Sequence, residues 1–291
     1  MEADLWGVLA VATKTLAYGG SLVAAGSALF LVALRPEASV AAEARRAELM
    51  AGAIGAAATA LFVLLQAGYL MDDGLAGMVD PFALNLVTDG PLGHAAAARL
   101  VGLVLIGLAL ALPVLKMPGT LLGALLVAAS FALSGHATAE PRLVLSAAVM
   151  LHVLGISFWI GALWPLHQAT RLSRLDNAAD LAHRFGNQAM LVVPTLLAAG
   201  TLFTVLRVDP VSALLTSPYG WMLAIKLVIV TGLLALALKN RRAIVPAMLA
   251  GTFGSAAKLR RSIGWEAAGF ALIFATTAVL TTLTAIPGMA H

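Results

Sequence analysis

Cysteine is absent from all 291 residues, which excludes a disulfide framework, a thiolate metal site and a dithiol redox pair. Charge is scarce: Asp, Glu, Lys and Arg make up 11% of the chain, against roughly 25% in soluble domains. No Ser/His/Asp or paired-carboxylate arrangement is legible, and no Gly-rich phosphate loop adjoins a soluble strand. The expectation is therefore a protein that is not an enzyme. The opening stretch MEADLWGVLA is acidic and lacks the basic region of a secretory signal, so the first apolar span reads as retained. Histidine is rare, with six residues in the chain.

What fills the chain is apolar. Hydrophobic residues make up 61%, and the mean hydropathy is +0.96. Runs near 20 residues long recur, each sufficient to cross about 30 Å of hydrocarbon as a helix. They fall at roughly 5–34, 48–70, 95–115, 118–135, 142–166, 186–207, 219–239 and 262–286. The runs are continuous and Leu/Ala-rich, which excludes alternating barrel strands. The reading is an all-α polytopic membrane protein with eight transmembrane helices, its partner the lipid bilayer.

Orientation follows from Arg and Lys. Thirteen of them, from Arg35 through Arg171 to Arg261, fall at one set of alternate connections, and two, Arg142 and Arg207, fall at the other. By the positive-inside rule both termini and the loops at 71–94, 136–141 and 208–218 are extracytoplasmic. The net charge of +4 is thus a topology signal, and it implies no nucleic-acid partner.

A repeat lies within the chain. TDGPLGHAAAARLVGLVLIGLALAL at 88–112 resembles TSPYGWMLAIKLVIVTGLLALAL at 216–238, and each half sets a glycine (Gly93, Gly220) six residues before a cation (Arg99, Lys226). Two parallel four-helix pseudo-repeats, residues 1–135 and 136–291, would be related by an axis along the membrane normal.

Intramembrane cations are the first candidates for function. Lys14 lies about 13 Å inside the first helix, and Arg99 and Lys226 about 9 Å from their helix starts. Charges at such depth cost a few kcal/mol or more and normally face a bundle interior. They either line a pathway or, for Arg99 and Lys226, snorkel outward to Asp72, Asp73, Asp80 and Asp89, the reading preferred for those two. Glu266 falls near the cytoplasmic end of the last span, too far in depth to pair with any of them.

Three histidines share the outer side: His94 opens the third helix, His136 closes the fourth, and His152 lies ten residues into the fifth, about 15 Å deep. His152, Gly155 and Trp159 fall at i, i+3 and i+7 on one face. Gly155 leaves room beside the imidazole, and Trp159 walls the pocket below, whereas Met150 points to nearly the opposite face. The short HATAEP connection makes helices four and five antiparallel neighbours, with His136 above His152 as two stations on one path. Neutral imidazole suits Cu, Zn, Fe and Ni, and thioether selects Cu(I). Met71, Met78 and Met289 are accessory donors on the same side, so Met/His without Cys points to copper before zinc.

Several stretches together resemble the copper-resistance protein D (CopD/PcoD) family of bacterial inner-membrane proteins: SGHA at 134–137, LHVLGISFWIGALWPL at 151–166, RFGNQAMLVVPTLLAAG at 184–200, SPYGWMLAIKLVIVTGLLALALKNRRAIVP at 217–246 and LRRSIGWEAAGFALIFATTAVLTTLTAIPG at 259–288. GPLGHAAAARL in the third helix is similar as well. The resemblance implies eight helices and movement of copper ions from the periplasm across the inner membrane, beside a periplasmic CopC-like copper-binding protein. It carries onto His136, His152, Trp159, Lys226 and Glu266. His94 departs from the family, where an aromatic stands, as Trp221 does in the second half. Two alternatives stay open: a copper sensor or assembly factor that docks a periplasmic partner without transport, and a membrane b-type haem protein with His94 and His136 as axial ligands.

Overall fold

Within a bilayer every backbone N–H and C=O must be satisfied inside the protein, and a continuous apolar run achieves this only as a helix. The computed structural model, which describes residues 5–71, 74–133, 141–207 and 217–283, obeys that constraint. The long helices are α1 (Leu5–Leu34), α2 (Ala38–Met71), α3 (Pro91–Ala111), α4 (Lys116–Ser130), α5 (Arg142–Leu172), α6 (Leu175–Arg207), α7 (Pro218–Lys239) and α8 (Ser255–Leu283). A 3-10 turn, Pro113–Leu115, leads into α4, and a π turn, Asn240–Ile244, carries α7 into a short helix, Val245–Leu249. Eight segments are long and apolar enough to cross a membrane, and no strand occurs among the described residues. The chain is a multi-pass membrane protein.

The first span matches its helix end to end. Others are longer than their apolar runs: α2 starts at Ala38, α6 at Leu175 and α8 at Ser255, because helical hydrogen bonding continues through polar turns that a hydropathy reading discards. Two short helices, Gly74–Gly77 and Pro81–Thr88, occupy the connection between α2 and α3.

α1 is the centre of the bundle, packing against α2, α3, α4, α5, α6 and α8. Its Ala, Gly and Ser residues permit this, because small side chains let helix axes approach. At the α1–α5 crossing the backbones touch: a Cβ on Gly26 would sit 1.8 Å from the Ser157 carbonyl oxygen, and one on Gly161 would sit 2.0 Å from the Gly26 carbonyl carbon. Large apolar side chains such as Leu143, Leu191 and Val228 face outward, as a lipid-facing surface requires.

The α1–α2 turn is held to the α5–α6 turn by one carboxylate. Glu37 accepts hydrogen bonds from Ser39 Oγ, Asn177 Nδ2 and Ser173 Oγ. Arg184 of α6 donates through Nη1 to the Leu34 carbonyl at 2.8 Å, satisfying the end of α1.

Candidate functional site: a cationic cavity around His152

A cavity of about 700 Å³ opens among the helices, walled mainly by aliphatic and aromatic side chains. Lys14 and Tyr18 of α1, Arg99 of α3, His152 and Trp159 of α5, and Lys226 of α7 all line it. The three intramembrane cations, which reach the bundle from three helices, therefore converge on one space. α3 and α7 both begin at a proline, at Pro91 and Pro218, so Arg99 and Lys226 each lie eight residues, about 12 Å, into their helices.

Arg99 does not snorkel. Its Nε donates to Ser130 Oγ at 3.2 Å, and its guanidinium lies 4.6 Å from the Phe131 ring centroid and 5.2 Å from that of Tyr18. Lys14 donates to the Thr281 carbonyl at 3.1 Å and to Thr282 Oγ1 at 3.3 Å, with its ammonium 5.5 Å from the Phe62 centroid. Backbone carbonyls and aromatic faces thus take the place of counter-ions. Among the described residues every ion pair is at the surface, and none reaches Lys14, Arg99 or Lys226 from Asp80 or Asp89. Asp72 and Asp73 lie outside the described residues.

His152 is fixed across the helix boundary, its Nδ1 being 2.7 Å from the Leu196 carbonyl of α6. A carbonyl only accepts, so Nδ1 carries the hydrogen, and Nε2 is left with a bare lone pair. The glycine beside the imidazole is not Gly155. A Cβ on Gly155 would strike Leu196 Cβ at 2.6 Å, so that glycine admits Leu196, whose carbonyl holds the ring. Gly200 is the residue against the imidazole, where a Cβ would fall 2.8 Å from Nδ1 and 2.9 Å from Cε1.

Below His152 the buried Trp159 donates from Nε1 to Glu266 Oε2 at 2.9 Å, and Asn240 Nδ2 donates to Glu266 Oε1 at 2.6 Å. Glu266, 3% exposed, is a full eleven residues inside α8, not near its end. It belongs to the wall behind Trp159 and does not line the cavity. The π turn begins at Asn240 and turns it inward while Lys239 and Arg242 stay exposed.

The remaining sequence candidates are dispersed. His94 is exposed and absent from the cavity wall. Trp221, at the matching place of α7, is exposed too, the usual position of an interfacial side chain. Met71 and Met78 pack around the turn after α2, near Gly77 and Gly68, and among the described residues no methionine lines the cavity. His136 and Met289 lie outside the described residues. Among the described residues no group of three His, Asp or Glu side chains is placed to hold a metal ion.

The sequence reading missed Glu48. It is 2% exposed, neither carboxylate oxygen has a hydrogen-bond partner among the described residues, and it borders a second cavity of about 200 Å³ with Gly52 and Ile106. A second span that starts at residue 48 places this carboxylate at a helix end, where it attracts no notice.

The two halves of the chain are similar to two family models. One, described as Copper resistance protein D-like, N-terminal domain, matches residues 2–142. The other, described as Copper resistance protein D, matches residues 179–280. The chain belongs to the copper resistance protein D family. Searches of curated proteins and of solved structures return no match. The site of this copper-resistance protein offers one imidazole lone pair and three cations, with no Asp, Glu, Met or Cys in the described wall. That donor set does not fit a bare metal cation. At an effective dielectric of about 20, a monovalent ion about 8 Å from a like charge is opposed by about 2 kcal/mol, so each cation of the wall works against a bare metal ion.

Proposed function

We propose that the protein moves copper ions across the bacterial inner membrane, from periplasm to cytoplasm, and that it does so as a transporter, not an enzyme. The membership of the copper resistance protein D family supports copper as the cargo. The carrying observation within the fold is His152: a half-buried imidazole locked through Nδ1 to Leu196, with an available Nε2 beside a cavity. The preponderance of Arg and Lys on the face opposite the termini supports termini in the periplasm. His136, in the connection between α4 and α5, is the first station on the periplasmic face and His152 the second. Met71, Met78 and Met289 belong to the same face as accessory donors, and His94 to its rim. A periplasmic CopC-like protein would deliver copper there. With no nucleotide-binding motif in the chain, transport runs on a gradient or on that partner.

The test is copper binding by the purified protein under reducing conditions. His152→Ala lowers the bound copper while the melting transition is retained. A folded His152→Ala protein that binds as much copper as the parent removes His152 from the site.

A further inference from the structure

We infer that the cargo enters this cavity as a copper(I) complex of net negative charge, with copper already carrying soft anionic ligands such as halide or thiolate. The inference rests on the copper reading above and names the form in which the metal is recognised. Three observations carry it. Lys14, Arg99 and Lys226 converge on one wall surface, and among the described residues that wall holds no carboxylate. Two of the three keep donors unused: among the described residues Arg99 commits Nε alone of its five N–H groups, and Lys226 has no hydrogen-bond acceptor. Most of the remaining wall is apolar, with Phe62, Trp159 and Leu196 among its members, and it is broken by Gln66 and several threonines, so an ion there gives up much of its water and its charge is read at close range.

Unused N–H donors on cations are an anion site. Copper(I) prefers soft ligands and binds few of them, so a copper ion with two monoanions bears one negative charge and still accepts the His152 Nε2 lone pair. Copper keeps its oxidation state throughout, and no electron is exchanged. The cavity volume of about 700 Å³ exceeds the needs of a bare ion and accommodates a complex with its ligands.

The experiment measures Cu(I) bound to the full-length protein in detergent by equilibrium dialysis at constant ionic strength. Methanesulfonate, a weakly coordinating anion, is replaced stepwise by chloride, and in a second arm a monothiol replaces chloride, which separates the halide from the thiolate source. Parallel samples contain Lys226→Met and Lys226→Arg, and Lys14→Met serves in their place should Lys226→Met not fold. Dicyanoaurate(I), an inert linear anion, is added as a competitor. Binding by the parent rises with chloride or thiol, Lys226→Arg retains it, and Lys226→Met loses about tenfold or more, the loss expected of one hydrogen bond to a charged group. Dicyanoaurate displaces copper from the parent and fails to do so in Lys226→Met. Equal binding in methanesulfonate and in both ligand series, indifferent to dicyanoaurate, overturns the inference and leaves the transport reading standing. Anion-dependent binding without flux across proteoliposomes does the reverse.

Discussion

Placing a methyl group at residue 200 tests the lock on His152 most sharply. The Cβ of Gly200→Ala would lie 2.8 Å from His152 Nδ1 and 2.9 Å from Cε1, whereas unstrained contacts between such atoms start near about 3.5 Å. The ring or the helix must therefore yield by roughly 0.6 Å. The ring is the softer of the two, and its retreat stretches the 2.7 Å bond to the Leu196 carbonyl. A buried N–H left without its acceptor costs about 1–3 kcal/mol, against a gain of about 1 kcal/mol from replacing glycine by alanine within a helix. The net loss of stability is about 0–2 kcal/mol, small enough to leave the protein folded. Copper affinity suffers more, falling about tenfold or further, because the lone pair of Nε2 is no longer held in place. The assay is thermal unfolding and Cu(I) binding in detergent, run in the parent and in a His152→Ala background. In that background there is no ring to displace, and Gly200→Ala stabilises or is neutral. An equal effect in both backgrounds, or no effect on copper binding in the parent, refutes the lock.

Glu266→Ala leaves Trp159 Nε1 and Asn240 Nδ2 without their acceptor in a buried wall. The expected destabilisation is about 2–6 kcal/mol by thermal unfolding, with Glu266→Gln intermediate because its amide accepts only one of the two bonds. Gly26→Ala or Gly161→Ala drives a methyl group into the α1–α5 backbone contact and costs about 3 kcal/mol or more, read as lost monodisperse protein. Gly232→Ala, with open space around its Cβ, leaves the yield unchanged. The hydrogen bond from Ser173, above all, and that from Asn177 hold Glu37 below the usual carboxylate range. A depressed pKa contributes stability that is fully present above the ordinary carboxylate pKa and is lost as pH falls through the lowered one. The melting temperatures of parent and Glu37→Gln therefore converge on acidification. A gap that widens in acid contradicts that assignment.

Much of this architecture is legible in the amino-acid order, because hydropathy and membrane thickness are local quantities. The eight helices follow from them, and the bounds of α1 coincide with its apolar run. Lys14, Arg99 and Lys226 stand out as misplaced charges in the chain, and all three line one cavity. What helix periodicity cannot supply is the partner across an interface. It puts Gly155 on the face of His152, yet the contact of Gly155 is with Leu196, and the glycine against the imidazole is Gly200, 48 residues further on. Depth fails for a related reason. Glu48 and Glu266 look terminal when a helix is equated with its greasy part, and both are buried once the polar first turns of α2 and α8 are counted. His94 looks like a member of a histidine cluster by its place at a helix entrance, whereas it is exposed and does not line the cavity.

The central claim is that copper crosses the membrane by way of His152. It is tested most directly by copper flux into proteoliposomes that hold the parent, His152→Ala or the near-neutral Gly232→Ala, with Cu(I) offered under reducing conditions in chloride. Flux is expected for the parent and for Gly232→Ala, and none above empty vesicles for a folded His152→Ala. Undiminished flux through His152→Ala contradicts it, and so does a parent that binds copper through His152 and passes none, which is the behaviour of a sensor.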